Sequence, residues 1–462
     1  MRRLSALDRV RKMGANSIAF SARNVNRRIL SAAVTVTAAG VVVKLAAVLK
    51  EVTVAGIYGR SDSMDAYLAA LLVPGLLVNL IAESMNQALT PTLIRVRETQ
   101  NHARAQELLS NAMLWSCGLL IIVSTSMALC ARGIFSLTAS HFEPEKMNLA
   151  VHLFYGLLPI VLLTGIASNC AAVLNTIECF AAPALVPLTT SLAIIGCALV
   201  LGAQIGIWAI VCGTLAGALI QAIWMGWLTN QGGYRIRLRW YGMNAATREV
   251  AHQYGPVLLS SVVASGGLLV DQSMAAMLPP GSVSALAYAT RFVSVAVALL
   301  SGTVSSALTP YLSSMVAQKD WSGCRQTIRS WTRVMALVSI PITAILIAGS
   351  HFLVRIALQH GRFRSDDTAA VTQVMVMSAI QIPFFVCSRV PYRLILAMRR
   401  TDLILYCGLL NLVLDIVLNL VLMPRFGVAG IALSTSLWCV ATFIFLAYWS
   451  QKLLSAQSRS SL

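Results

Sequence analysis

Twelve apolar stretches long enough to cross a bilayer leave this chain of 462 residues few ways to fold. A hydrocarbon core of about 30 Å takes roughly 20 mostly apolar residues as one helix. The stretches are 30–57, 65–90, 108–131, 149–174, 181–201, 205–228, 253–275, 284–311, 330–352, 369–396, 403–423 and 427–450. The expected fold is therefore all-α, an integral membrane protein of about twelve transmembrane helices. Charged residues make up 11% of the chain, against about 25% in soluble domains.

The cations between the spans are sorted. Twenty-three of the 35 Lys and Arg fall in alternate connections and the two tails, beginning with Arg2, Arg3, Arg9, Arg11, Lys12, Arg23, Arg27 and Arg28. The opposite loops hold seven: Arg60, Arg132, Lys146, Arg355, Arg362, Arg364 and Arg425. Cytoplasmic loops carry the excess of Lys and Arg, so both termini are expected in the cytoplasm. The segment 1–29 has no apolar core and small-residue cleavage site of its own, and reads as a basic amphipathic lead-in rather than a signal peptide. The net charge of +18 is dispersed over loops on one membrane side. Topogenic charge and attraction to anionic lipid account for it, and no nucleic acid is expected as a partner.

The chain repeats itself at an offset of 221. Residues 199–214 read LVLGAQIGIWAIVCGT and residues 420–435 read LVLMPRFGVAGIALST, with Leu199, Val200, Leu201, Gly206, Ile210 and Thr214 meeting Leu420, Val421, Leu422, Gly427, Ile431 and Thr435. Each copy closes one span and opens the next, at spans 5–6 and 11–12. The expected organisation is two pseudo-symmetric six-helix lobes, 30–228 and 253–450, joined by a basic cytoplasmic linker 229–252 and followed by a tail 451–462. Parallel repeats imply a pseudo-twofold axis along the membrane normal, with a site between the lobes. Duplication also builds channels and membrane enzymes.

Ionisable residues at membrane depth cost at least about 2.5–3.5 kcal/mol each on insertion scales, so each needs a partner or an aqueous cavity. Span 1 carries Lys44, Lys50 and Glu51. Lys44 and Glu51 lie seven apart and share a face, while Lys50 points elsewhere. Span 2 carries Asp65 and Glu83, span 7 Asp271, span 8 Arg291, span 10 Arg389 and Arg393, and span 11 Asp415 with Asn411 and Asn419 four residues to either side. Lys44, Lys50, Glu51, Asp65, Glu83 and Arg291 are the candidate cavity residues. Asp65 also suits a helix cap, and Arg389 and Arg393 also suit snorkelling. Cations from both lobes would favour an anionic cargo. Asp271 and Asp415 are read either as ion-pair partners of those cations or as a site for a monovalent cation or proton.

No HExxH, Walker A or GxSxG motif is present, and no paired carboxylates adjoin a histidine. The ten cysteines form no CxxC pair and most lie in apolar spans, where Cys acts as a small hydrophobe. No enzyme activity, cofactor or metal site is expected. Without an ATP site, energy comes from gradients or downhill cargo movement. A channel is disfavoured by the absence of voltage-sensor arginine spacing and of a TVGYG filter.

At this level of detail a family emerges. DAYLAALLVPGLLVNLIAESMNQALTP at 65–91 resembles the span-2 motif of the MurJ/MviN family of lipid II flippases, DAFxxAFxxPNLxRRxxAEGAxxxAFxP. LNTIECFAAPALVP at 174–187, GSVSALAYATRF at 281–292, LTPYLS at 308–313 and HGRF at 360–363 resemble further family motifs in order. The resemblance covers about 30–450. It implies the MOP flippase fold, two lobes around a V-shaped cavity with alternating access. It also implies a cargo with a polyprenyl tail, a diphosphate and a sugar head, carried by a single subunit in the bacterial inner membrane. The family's cavity arginines align with Lys44 and Lys50, its following acidic residue with Glu51, and its span-8 arginine with Arg291. The arginine pair after PNL is Val78-Asn79 here, and the Asn of PNL is Gly75. Lysine lacks arginine's bidentate fork, so part of the family's anion-binding set is missing. Many members continue to fourteen spans, against twelve here. The expected cargo is lipid II; another lipid-linked oligosaccharide of the exopolysaccharide or O-antigen type is the alternative. An exporter of the related multidrug type, or a scaffold keeping only the fold, remains open.

Overall fold

The computed structural model describes residues 38–138, 142–177, 179–236, 238–398 and 400–460, without the side chains of 264, 302–307, 309–310 and 458–460. The basic segment 1–29 and the start of the first expected span lie outside the described residues. No strand occurs among them.

Eleven helices of the described residues are long and apolar enough to cross a membrane. A further helix, α1, covers 38–58, its apolar run broken by Lys44, Lys50 and Glu51. The others are α2 (Asp62–Thr99), α3 (His102–Leu129), α4 (Pro144–Thr176), α5 (Ala181–Ile205), α6 (Trp208–Gln231), α7 (Ala245–Ala275), α8 (Ser282–Ala317), α9 (Trp321–Ala348), α10 (Ser365–Ala397), α11 (Thr401–Phe426) and α12 (Val428–Ser460). Each expected span falls on one of them in order, and the chain is a multi-pass membrane protein.

The helices begin where polar side chains take up orphan backbone donors. Asn101 Oδ1 accepts from Arg104 N at 2.8 Å before α3, and Asn244 Oδ1 from Thr247 N at 2.8 Å before α7. Asp320 Oδ1 accepts from Gly323 N at 2.8 Å before α9. This N–H, with the Ser322 hydroxyl, holds the exposed Asp320 carboxyl below the usual carboxylate range. Helix α2 is not regular: a π-turn occupies Val78–Glu83, just after Pro74.

Helices α2–α6 pack mainly on one another, as do α8–α12; α7 lies mainly against α2, touches α3 and packs on α11 within its own half, while α2 also meets α8. The connection 232–244 returns along the α3 end, where buried Tyr234 stacks on His102 at 4.3 Å and Arg235 N donates to Gln106 at 2.8 Å. Arg95 pairs with Glu249 at the same end. Arg60, Lys146 and Asp367 gather at the other end.

The repeat is visible in the backbone. Gly206 ends α5 at φ 57°, ψ −133°, and Gly427 ends α11 at φ 57°, ψ −137°. Residues with a Cβ are strained there, and a Cβ built at either glycine meets nothing within 4 Å. Gly206→Ala and Gly427→Ala should therefore each cost about 1–3 kcal/mol through backbone strain alone. Thermal unfolding of the detergent-solubilised protein should show similar drops for both, and none for Gly196→Ala, which also has open space around it but sits in a helix interior.

Candidate substrate cavity between the helix sets

A cavity of about 360 Å³ lies between the two sets, lined by Lys50 and Glu51 of α1, Tyr67 and Asn79 of α2, Gln272 of α7 and Arg291 of α8. Its electrostatic centre is Glu51, only 5% exposed. Oε1 of Glu51 takes Lys50 Nζ at 3.0 Å and Arg291 Nε at 3.1 Å. A carboxylate at this depth is costly unless paired, and here the partners come from different helix sets. Arg291 keeps half of its side chain exposed toward the cavity. Beside it the Tyr67 hydroxyl meets Thr214 Oγ1 at 3.0 Å.

The two lysines of α1 are placed otherwise than their spacing suggests. Lys50, expected to point elsewhere, is the lysine that reaches Glu51. Adjacent residues diverge at Cβ, but four flexible carbons let the ammonium wrap back. Lys44, expected to share the Glu51 face, is half-buried, outside the cavity lining, and has no ion pair among the described residues. Glu83, closing the π-turn four residues after Asn79, is exposed.

Asp65 lies outside the cavity lining. It is 1% exposed and belongs to α2, yet it caps a helix of the other set. Its carboxylate accepts from Gly281 N at 2.6 Å and Ser284 N at 2.9 Å, at the start of α8, and from Lys146 Nζ at 3.2 Å. Arg60 adds Nε to Gly281 O at 3.0 Å and an ion pair to Asp367 at 3.3 Å. Tyr288 Oη donates to Gly59 O at 3.0 Å. Arg362 N donates to Gly56 O at 2.9 Å, in a loop where Gly361, at φ 64°, brings its backbone so close that a Cβ would lie 2.0 Å from Gly56 O. These bonds form a clasp across one end of the cavity.

Asp271 and Asp415 are not partners of Lys44 or Arg291, as the ion-pair reading had them. They face each other through Asn419, whose Nδ2 donates to Asp271 Oδ1 at 2.9 Å and lies 3.4 Å from Asp415 Oδ1. Thr435 Oγ1 donates to Asp271 at 3.2 Å and Ser434 Oγ to Asp415 at 3.2 Å. Asp415 Oδ2 and Asn419 Oδ1 are buried with no donor. No cationic side chain pairs with either carboxylate among the described residues. Arg389 lies on the Phe385 ring at 4.0 Å, inside a separate cavity. Arg393 lies 5.9 Å from the Tyr392 ring.

Sequence reasoning missed Tyr67, Asn79 and Gln272 in the cavity, and Ser434 and Thr435 around the carboxylates. One signal was available: at the same offset of 221, Ser61, Ser63, Ala66 and Tyr67 meet Ser282, Ser284, Ala287 and Tyr288.

The MurJ family model, described as lipid II flippase MurJ, matches residues 54–461. The chain belongs to the MurJ family. A curated relative from Synechocystis sp., named probable lipid II flippase MurJ, is 25% identical over 444 residues, spanning 91% of this chain and 82% of its own. One of the same name from Buchnera aphidicola is 22% identical over 424 residues, spanning 88% and 81%. Among solved structures, a lipid II flippase MurJ in an inward closed conformation superposes with a TM-score of 0.79 at 20% identity, over 90% of this chain and 87% of that one. An inward-facing MATE multidrug transporter of the MOP superfamily gives 0.77 at 12% identity, over 93% and 100%. The fold is that of the MOP superfamily.

Asp65→Ala should leave the buried Gly281 and Ser284 N–H groups without an acceptor, at about 1–3 kcal/mol for each orphaned group. The thermal midpoint in detergent should fall clearly. Asp62→Ala, which removes only a 60% exposed partner of Lys146, should leave it nearly unchanged. Equal midpoints for the two variants would remove the clasp as a stabilising element.

Proposed function

We propose that this protein moves a polyprenyl-diphosphate-linked saccharide, lipid II as the names of its relatives suggest, from the inner to the outer leaflet by alternating access. The convergence of Lys50 and Arg291 on Glu51 supports this most directly. Two cations from two helix sets share one carboxylate, which stands where an anionic ligand would compete for them. A diphosphate brings more charge and more acceptors than Glu51. It would draw Arg291 and Lys50 away and loosen the tie between the sets. Binding and opening are then one event, driven by the cargo's differential affinity for the open state. The protein acts as a transporter, not an enzyme.

The cavity of about 360 Å³ is at the small end of sites that hold drug-sized ligands. A diphosphate with its sugars needs the sets apart, so this is a state between loading and release. The two lobes, 30–228 and 253–450, would rock about the cavity as a single subunit, with 229–252 as their tether. The clasp of Asp65 and Arg60 faces outward in this reading, with both termini in the cytoplasm of a bacterial inner-membrane protein. Asp271, Asp415, Asn419 and Thr435 would hold the coupling cation, since two carboxylates and two buried acceptors without donors suit a small monovalent ion or a proton.

The membrane potential bears on energetics. An inside-negative potential favours outward movement of net negative charge by about 2.3 kcal/mol per charge per 100 mV. That corresponds to a gradient of roughly fiftyfold, since about 1.4 kcal/mol is tenfold; a co-moving cation would reduce it.

Three measurements test this reading. Lys50→Ala and Arg291→Ala should each abolish head-group exposure in proteoliposomes while the protein stays folded, and Lys50→Arg should retain it. Normal flipping by both alanine variants would misplace the anion site. In cells, cysteines introduced beside Arg60, Lys146 or Arg362 should react with an external impermeant reagent, and those beside Arg97 or Arg237 should not; the opposite pattern inverts the topology. Potassium diffusion potentials of either sign should accelerate or slow outward flipping, and equal rates would exclude an electrophoretic step.

A further inference from the structure

The half formed by α7–α12 holds a second cavity, of about 500 Å³, walled by α7, α10, α11 and α12. The central site does not use it. Arg389 projects into it about 12 Å from the α10 terminus at Ala397, at 1.5 Å per residue. Its guanidinium lies 4.0 Å from the centre of the Phe385 ring and 5.7 Å from that of Tyr392. It makes no ion pair and no side-chain hydrogen bond among the described residues. A cation at this depth without a carboxylate is expensive, and such a residue by default marks a ligand path. Ring stacking offsets part of that cost but leaves the donors of the planar fork without acceptors.

A second donor faces the same space. Asn411 Oδ1 lies 2.8 Å from the Thr442 hydroxyl, whose single proton is shared with Trp438 O at 2.9 Å. Asn411 Nδ2 finds only the Cys407 sulfur, at 4.0 Å. Around these donors the walls are apolar, with Val263, Ile404 and Leu446. Toward the Ala397 end the lining includes Leu396 and Leu405, both exposed, at 37% and 39%.

We propose that this cavity binds an amphipathic oxyanion, its carboxylate or phosphate head on Arg389 and Asn411 Nδ2 and its aliphatic chain leaving between Leu396 and Leu405. The chemistry excludes other classes. A cation would meet Arg389 head-on, a neutral apolar molecule would leave both donors without acceptors, and a free inorganic anion would leave the apolar walls uncovered. The site is independent of which cargo the central cavity carries.

Trp438 lines this cavity and provides the readout. In maltoside micelles, 11-bromoundecanoate should quench the emission that wild type has and Trp438→Phe lacks, with saturation. 11-Bromoundecanol, the same chain without the charge, should need at least tenfold more. Arg389→Gln should weaken the acid tenfold or more, leave the alcohol unchanged, and be partly restored as Arg389→Lys. Dodecyl phosphate should displace the bromo acid, and inorganic phosphate should not. Equal quenching by acid and alcohol on the wild-type protein would overturn the proposal, whatever the Arg389 variants do. Displacement by inorganic phosphate alone would overturn the aliphatic part.

Discussion

A carboxylate of one half that takes a cation from the other holds the cavity together. Glu51 is buried at membrane depth and is tolerable there only because Lys50 and Arg291 reach the same oxygen. Removing either cation leaves an excess buried charge, and removing the carboxylate sets two cations against each other. The three residues therefore act as a unit, and the separation of the two helix sets is tied to who neutralises whom. A pair of helices held only by apolar contact would have no such dependence, because lipid tails are as apolar as leucine.

The two halves share a plan but not a polarity. At the repeat offset, Tyr67 matches Tyr288 and Thr214 matches Thr435, while Lys50 falls on Asp271. In the first half the threonine bonds the matching tyrosine. In the second it bonds the carboxylate, and Tyr288 turns to the backbone of Gly59 across the junction. At the position of Lys50 and Asp271 the first half thus carries a cation where the second carries an anion.

The spans were legible because a chain in lipid has to satisfy its backbone within each helix, so hydropathy alone locates them. The offset of 221 was legible because Gly206 and Gly427 adopt a backbone conformation that strongly favours glycine. Arg291 was legible as a lone charge in span 8. Asp65 was not legible as a clasp, since nothing local says that a carboxylate of α2 caps α8, 216 residues away at Gly281. Helical spacing likewise put Lys44 rather than Lys50 on the Glu51 face, because a face rule follows Cβ directions and ignores the reach of a lysine stem. The pairing of Asp271 with Asn419 and Thr435 depends on three helices meeting, which a one-dimensional pattern does not encode.

The π-turn at Val78–Glu83 gives α2 a joint. Ahead of it, Asp65 is tied to the clasp and Tyr67 faces the cavity; behind it, Ser84 Oγ meets Ser261 Oγ of α7 at 2.9 Å. An extra residue in one turn rotates everything downstream by about 100° relative to an unbroken helix, and Pro74, one turn earlier, removes a backbone donor. The helix is thus least stiff at the level of the cavity. Load applied at one membrane face is absorbed as bending there before it reaches the other. A two-ended vestibule with such a crank in its wall can loosen one mouth while the opposite mouth keeps its contacts, which a rigid rod of the same length would pull apart together.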